Sequence, residues 1–533
     1  MKVLFTTLIL LSIGTSIFSQ GQPFAEINAN NIKTRINSTG LLFSNGFDAK
    51  FQVPYVDNDS PAPIFAGGLW MGGLDPGGNI HYAENSFFVN SQSNYNPGLT
   101  DVTGSFNFDR SWKITAEDIN ALITDAADGV IDDSISTEIL EWPAAGQEGL
   151  ENIAAERLAA FNDVGGDGFY NPEEGDHPVV FVDGVAIIPD ELVFTMFYVD
   201  NPFSDLSMDI HSSIYAFQGA NNDAISNSVF LQQKIISREV EDLSDFRFSY
   251  FIDPDIGCFN DDYTGCDTIR NAMISYNADD RDGDDFGCTV GVVTYDDPPA
   301  ISLTLLNRQM THFSYYNNPT VGNPAPETTG PASPNQIFSK MVGVWNDDTP
   351  LTFGGTGYDP NSTDFVAHAF PGDPNNSDEW SMVSEDIPQH DVRTITTHRV
   401  GLLRPNDIIT FDAVINFTNC PGYLTDITKA KENIDELQLL YDGAFAGISN
   451  TNEIDEDLAI KVLLYPNPSS GTIYIESDYR FDSYNVFDNK GQLIANGTIS
   501  GNSELVLNVA NGMYVLELID GDRSTFKKFV MQR

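Results

Sequence analysis

Residues 64–82 read "IFAGGLWMGGLDPGGNIHY", apolar runs interrupted by glycine pairs and broken at Asp75-Pro76-Gly77-Gly78. Glycine and proline at that density argue against a helix, and an Asp-Pro-Gly-Gly break between apolar runs predicts a β-hairpin. The same texture recurs along the chain. "VFTMFYVD", "SIYAFQ", "VFLQQKIIS", "FRFSYFID" and "DIITFDAVINFTN" are rich in Val, Ile, Phe and Tyr at strand spacing, with turn residues between them. The fold class this predicts is mainly β: a multi-domain antiparallel body of sandwich type with few helices. Two helices are expected. Residues 115–128 open on a Thr cap and set Ile119, Leu122 and Ile123 on one face. Residues 428–443 place Ile434, Leu437, Leu440 and Tyr441 at helical spacing before a Gly stop.

The amino terminus, "MKVLFTTLILLSIGTSIFSQ", carries one Lys, a short apolar run and then small residues, the pattern of a secretory signal peptide cut after Ser19. No later run approaches the ~18 apolar residues of a membrane span, so the mature chain is expected to lack a transmembrane segment. In an oxidising destination the four cysteines, Cys258, Cys266, Cys288 and Cys420, can pair. Three of them are close in sequence, so one local disulfide is expected there, with its partners open. No Cys-x-x-Cys spacing exists to suggest a zinc site.

Charge narrows the function classes. Lys and Arg number 26 against 77 Asp and Glu, a net charge of −51. Residues 459–533 hold 7 basic against 8 acidic side chains, so nearly all of that charge lies on the body. Such a surface repels phosphate backbones and anionic lipid, which disfavours nucleic-acid partners, and it attracts Ca²⁺, which takes carboxylate and carbonyl oxygens. Two segments are candidate calcium sites. "DVGGDGFYNPEE" (residues 163–174) numbers like a calcium loop, with Asp163 at position 1 and Asp167 at 5. Gly168 then marks the sharp turn, the Phe169 carbonyl falls at 7, Asn171 at 9 and Glu174 at 12. Gly165 offers no side-chain oxygen at position 3, and an ion-free Asx-turn loop is the alternative. In residues 251–288, Asp253, Asp255, Asp261, Asp262 and Asp267 follow one strand, and Asp279, Asp280, Asp282, Asp284 and Asp285 follow the next. That stretch holds only Arg270 and Arg281 as basic residues. Carboxylates so crowded need either solvent or a cation.

Beyond an acidic linker at residues 447–460, strand-like runs recur between "NPSSG", "DNKG", "SGNS", "NG" and "DGD" turns, predicting an Ig-like sandwich of about seven short strands. Pro466 and Pro468, lacking amide donors, are expected to begin its first strand, and Gly512 to supply a turn. Tyr465-Pro466-Asn467-Pro468, Gly471, Val486-Phe487-Asp488 with Gly491, Gly512-Met513-Tyr514 and Lys527-Lys528 resemble the type A C-terminal sorting domain of the type IX secretion system of Bacteroidetes. The resemblance covers residues 461–533. It implies passage through the Sec machinery to the periplasm and recognition by an outer-membrane type IX translocon. It also implies removal of the tail by a sorting peptidase, leaving cargo that is secreted or joined to surface glycolipid at the cell surface.

"FAGGLWMGG", "EILEWPAAG", "GGDGFYNPEEGDHP", "DPDIGCFNDDYTGCDT" with "YNADD", and "FPGDP" resemble blocks of an uncharacterised group of large Bacteroidetes surface proteins carrying this tail; the group supplies no chemistry. The expected organisation is a signal peptide at 1–19, a β-rich region at 20–160, an acidic β-rich domain with the calcium loops at 161–446, the linker and the tail. The body contains no HExxH, GxSxG or P-loop pattern. The expected role is structural, adhesive or ligand-binding, stabilised by Ca²⁺. The alternative is a secreted hydrolase of polysaccharide or peptide using an unrecognised carboxylate pair. Trp70, Trp112, Trp142, Trp345 and Trp380 are either core or sugar-stacking platforms.

Overall fold

The computed structural model describes residues 23–448 apart from 86–93, 105, 132–133, 201–205, 220–221, 284–294 and 320–322. Within 462–531 it describes all but 466–468, 470, 478–480, 489–492, 500–503, 511 and 521–522. The signal peptide, Asp284, Asp285, Pro466, Asn467, Pro468 and Gly491 thus lie outside the described residues. The chain divides into two compact units, Met1–Asn450 and Thr451–Arg533.

Two antiparallel sheets build the body. In the first, Phe24–Ile27, Lys33–Asn37, Phe51–Gln52, Ile64–Leu74, Leu243–Pro254, Val392–Leu403 and His312–Asn317 lie side by side in that order. The second runs Asp262–Asp267, Ala272–Asn277, Ala300–Leu305, Ile408–Thr418, Ser228–Ser237, Ser207–Ala216, Glu191–Asp200 and Tyr95–Pro97. Period-two alternation explains how they meet. Phe246, Phe248, Tyr250 and Ile252 point from one sheet into the core shared with Leu231, Ile235, Phe411 and Ile415 of the other. Phe248 stacks on Phe411 with ring centroids 3.9 Å apart. The intervening positions are also covered, which is why these strands read as nearly continuous apolar runs. Phe251 and Ile395 pack under the helix Pro334–Met341 with Trp70 and Tyr316. Phe230 and Tyr215, on the far face of the second sheet, pack with Trp112, Trp142 and the helix residues Leu437 and Tyr441. All five tryptophans are buried, which decides for the core reading.

The expected hairpin forms: Ile64–Leu74 pairs with Ile80–Glu84, Leu74 opposite Ile80, and Gly78 takes a positive φ in the turn. Thr115 caps Ala116–Asp125 in a capping box with Asp118, burying Ile119 and Leu122. The second expected helix spans Thr425–Asp442, three residues longer at its start, and ends at Gly443. A boundary near residue 160 is not found. Ile64–Leu74 pairs with Leu243–Pro254, and Trp112–Thr115 with Glu191–Asp200, so residues on both sides of 160 complete the same sheets. Long-range strand pairing, invisible to local pattern, makes one folding unit of the two expected regions.

Among the described residues, Lys340 is a buried cation with no ion pair, Asp347 acting on it only at longer range. Lys340, 1% exposed, lies with Nζ 4.9 Å from the Trp345 ring centroid and makes no Nζ hydrogen bond. Burial pushes its pKa down to about 7. The unfolded chain therefore binds this proton up to about pH 10.5, the folded chain only to about 7, so this group makes stability rise with pH across that window. Lys340→Met is expected to raise stability at pH 7 by roughly 1–3 kcal/mol and to flatten the pH dependence, read by chemical denaturation at pH 7 and 9.

Candidate metal centre

Strand register builds the site. Phe251 pairs with Ile395 and Ile252 with Thr394, so the next positions bring Asp253 beside Arg393. Asp255 and Asp391, two residues further out on the same face, extend the arrangement past the ends of the strands. Arg393 Nε lies 3.1 Å from Asp253 Oδ1 and its Nη2 3.7 Å from Asp391 Oδ2. Ligand oxygens of Asp253, Asp255 and Asp391 fall within 4.8 Å of one another, the one such group among the described residues. Asp253 is 2% and Asp391 5% exposed, while Asp255 is half-buried. Asn318 Nδ2 donates to Asp391 Oδ2 at 2.6 Å, and Asp391 Oδ1 is enclosed without a hydrogen-bond partner. Burial pushes Asp253 up to about 7 against the pull of Arg393, and raises Asp391 and, still more, Asp255 above the usual carboxylate range.

Asp261 and Asp262 sit nearby, both fully buried. Asp262 Oδ2 accepts from Ile256 N (3.0 Å) and Asp261 Oδ2 from Gly283 N (2.9 Å), leaving each Oδ1 enclosed and unpartnered. Burial raises Asp261 to about 7 and Asp262 well above the ordinary value, with neighbouring carboxylates adding to the shift. Asp282 is a structural staple, accepting Cys258 N (2.8 Å) and Tyr295 N (2.6 Å). Asp267 does not join the group. It accepts from Ile269 N and Arg270 N, and its Oδ2 lies 2.9 Å from Arg270, which also pairs with Asp435 on the helix Thr425–Asp442. An ion pair and two amides already satisfy it. Cys258 is disulfide-bonded, whereas Cys266 and Cys420 are free thiols.

The loop at 163–174 is closed by the two-residue ladder of Phe161–Asn162 with His177–Pro178. Its carboxylates serve its own backbone. Asp163 accepts from Gly166 N (2.6 Å) and Gly168 N (2.8 Å), and Asp167 from Phe169 N (2.8 Å). Fully buried Asp176, outside the expected ligand set, accepts from Val164 N (2.7 Å) and Asn171 N (2.9 Å). Asp163, Asp167 and Glu174 do not bring three oxygens within 4.8 Å. Gly165 has its own reason: a Cβ there would stand 2.1 Å from Glu174 Oε2.

Among its described residues the second unit has seven strands. Val462–Tyr465, Thr472–Ser477 and Glu504–Val506 form one sheet; Leu493–Thr498, Ser483–Asp488, Gly512–Asp520 and Arg523–Met531 form the other. Ile473, Val486, Leu516 and Phe529 fill the space between. Tyr465 pairs with Tyr474, Lys527 with Leu516 and Lys528 with Val515. Tyr514 stacks on Phe529 and its hydroxyl donates to Ala510 O at 3.0 Å. Gly471 takes a positive φ. Two expectations change. The first strand is Val462–Tyr465, so it precedes Pro466 and Pro468 in sequence, which lie outside the described residues. Gly512 opens a strand instead of making a turn.

Residues 463–532 match the family model described as a secretion system C-terminal sorting domain. The tail is a type IX sorting domain. It marks the chain as exported to the cell surface or beyond. The sorting domain leaves the body unassigned, and none of the curated proteins is detectably similar in sequence. Among solved structures, a polysaccharide lyase is similar at 8% identity over 67% of this chain and 37% of its own, with a TM-score of 0.21. The chain thus spans about 37% of that protein's length, and at that score the likeness carries no argument. No helix among the described residues is long and apolar enough to cross a membrane.

Proposed function

We propose that the body is a rigid, calcium-stabilised surface or secreted module with a structural, adhesive or ligand-binding role, delivered by its sorting domain. One observation carries the calcium part. Asp253, Asp255, Asp261, Asp262 and Asp391 gather at one end of the sheets, four of them buried, with Arg393 as the cation among them. Enclosed carboxylates without matching cations are costly, and a hard divalent ion relieves that cost. For ligand binding, a cavity of about 210 Å³ lined by Asp279, Asp297, Tyr276, Tyr423, Asp426 and Asn277 has no basic side chain on its wall, a lining suited to a cationic or polyhydroxylated group.

The mature protein is expected to melt several degrees higher in calcium than in chelator and to turn over no polysaccharide or peptide substrate. Equal melting temperatures would remove the calcium part. Turnover abolished by one carboxylate substitution in a folded protein would replace the reading with a hydrolase.

A further inference from the structure

We infer that Asp253, Asp255 and Asp391 form a binding site for one hard divalent cation, with Arg393 as its built-in counter-charge. The inference rests on the calcium reading above and narrows it to a single ligand set. The three side chains present only oxygens, and these already lie within 4.8 Å of one another, a spacing that one ion can bridge.

Asp391 supplies a sign separate from the clustering. It is 5% exposed, and Asn318 occupies its Oδ2 while its Oδ1 is enclosed and meets no donor. A buried carboxylate oxygen in a protein interior ordinarily has a partner, so an oxygen enclosed beside two further carboxylates points to a cation. Charge favours more than a monovalent ion: Asp253, Asp255 and Asp391 outnumber the Arg393 guanidinium by two before buried Asp262 beside Asp255 is counted, so a single positive charge would leave negative charge enclosed. Half-buried Asp255 leaves a side through which the ion can enter and keep water ligands. Bound there, the ion ties the end of Leu243–Pro254 to the start of Val392–Leu403, strands contributed by distant parts of the chain.

The mature full-length protein, stripped with chelator and checked by circular dichroism, is titrated with Ca²⁺ in a calorimeter. Asp391→Asn, Asp255→Asn and the control Asp267→Asn are titrated alongside it. Each cluster variant is expected to lose one bound ion per chain or to bind it at least tenfold more weakly, while Asp267→Asn behaves as wild type. Arg393→Gln, which removes the positive side chain paired with the cluster and so adds one net negative charge, is expected to shift preference from Ca²⁺ toward Tb³⁺. Asp255 lies at the rim, so Asp255→Asn retains the readout if Asp391→Asn fails to fold. Undiminished stoichiometry and affinity in folded Asp255→Asn would overturn this site while leaving calcium stabilisation from elsewhere in place. A wild-type protein that neither binds Ca²⁺ nor melts higher in it would overturn both.

Discussion

Deletion of residues 463–533 abolishes surface display and leaves the chain in the periplasm. The expected effect is all-or-none, because the sorting domain is the address and not part of the body's core. Its strands pair only with one another among the described residues, and every body pairing survives their removal. Proteolysis of intact cells and fractionation read the result. A truncated chain displayed as well as wild type would refute the sorting assignment. A point change should reproduce the deletion: Leu516, fully buried between the two tail sheets, becomes an unpaired buried charge in Leu516→Asp.

Asp209→Ala is expected to cost the body about 3–5 kcal/mol, the range for breaking a buried ion pair and stranding its partner. Asp209 is fully buried. Its Oδ1 accepts from Thr100 N at 2.6 Å, and its Oδ2 binds Arg157 Nε at 2.7 Å and Nη2 at 2.6 Å. Arg157 Nη2 also donates to Thr100 O at 2.7 Å, so one carboxylate fastens two covering segments to the strand Ser207–Ala216. The same segment is held at two further points: the Arg157 carbonyl lies 3.0 Å from His211 Nε2 on that strand, and Lys234 Nζ, on the neighbouring strand Ser228–Ser237, donates to Glu156 O at 2.6 Å. Burial depresses His211 to about 3, keeping it neutral in that contact. Urea denaturation of wild type and Asp209→Ala measures the loss. Replacing both partners, Asp209→Leu with Arg157→Met, should recover part of it, since the Arg157 charge is then not stranded, although Thr100 N still lacks its acceptor and Arg238 Nε loses its 3.9 Å contact with Asp209 Oδ2. A single-variant loss below 1 kcal/mol would show that the pair is not coupled to global stability.

What could be read in advance follows the range of the interactions. The 64–84 hairpin, the Thr115 cap and the seven tail strands rest on neighbours within a few residues, and all three form as expected. Asp253 and Asp255 stood out in the sequence as part of a dense acidic run, and their closeness follows from adjacency in the chain. Asp391 did not, because its place depends on which strand pairs with Leu243–Pro254, and nothing near residue 391 states that. Asp163 and Asp167 show the opposite case. Their spacing matches a calcium loop, yet their oxygens go to amides of the same turn, and an Asx turn and an ion loop share the same residue types.

From its sequence alone, this protein was determined to be a mainly β chain with an acidic body and a sorting tail, since alternation, turn residues, charge and short ordered motifs are local properties. Tertiary structure alone decided that residues before and after 160 share two sheets, that Asp267 belongs to an ion pair, and that Asp391 and Arg393 complete the carboxylate group. Those outcomes depend on strand register between segments far apart in the chain, where each pairing is selected by the packing of both faces at once.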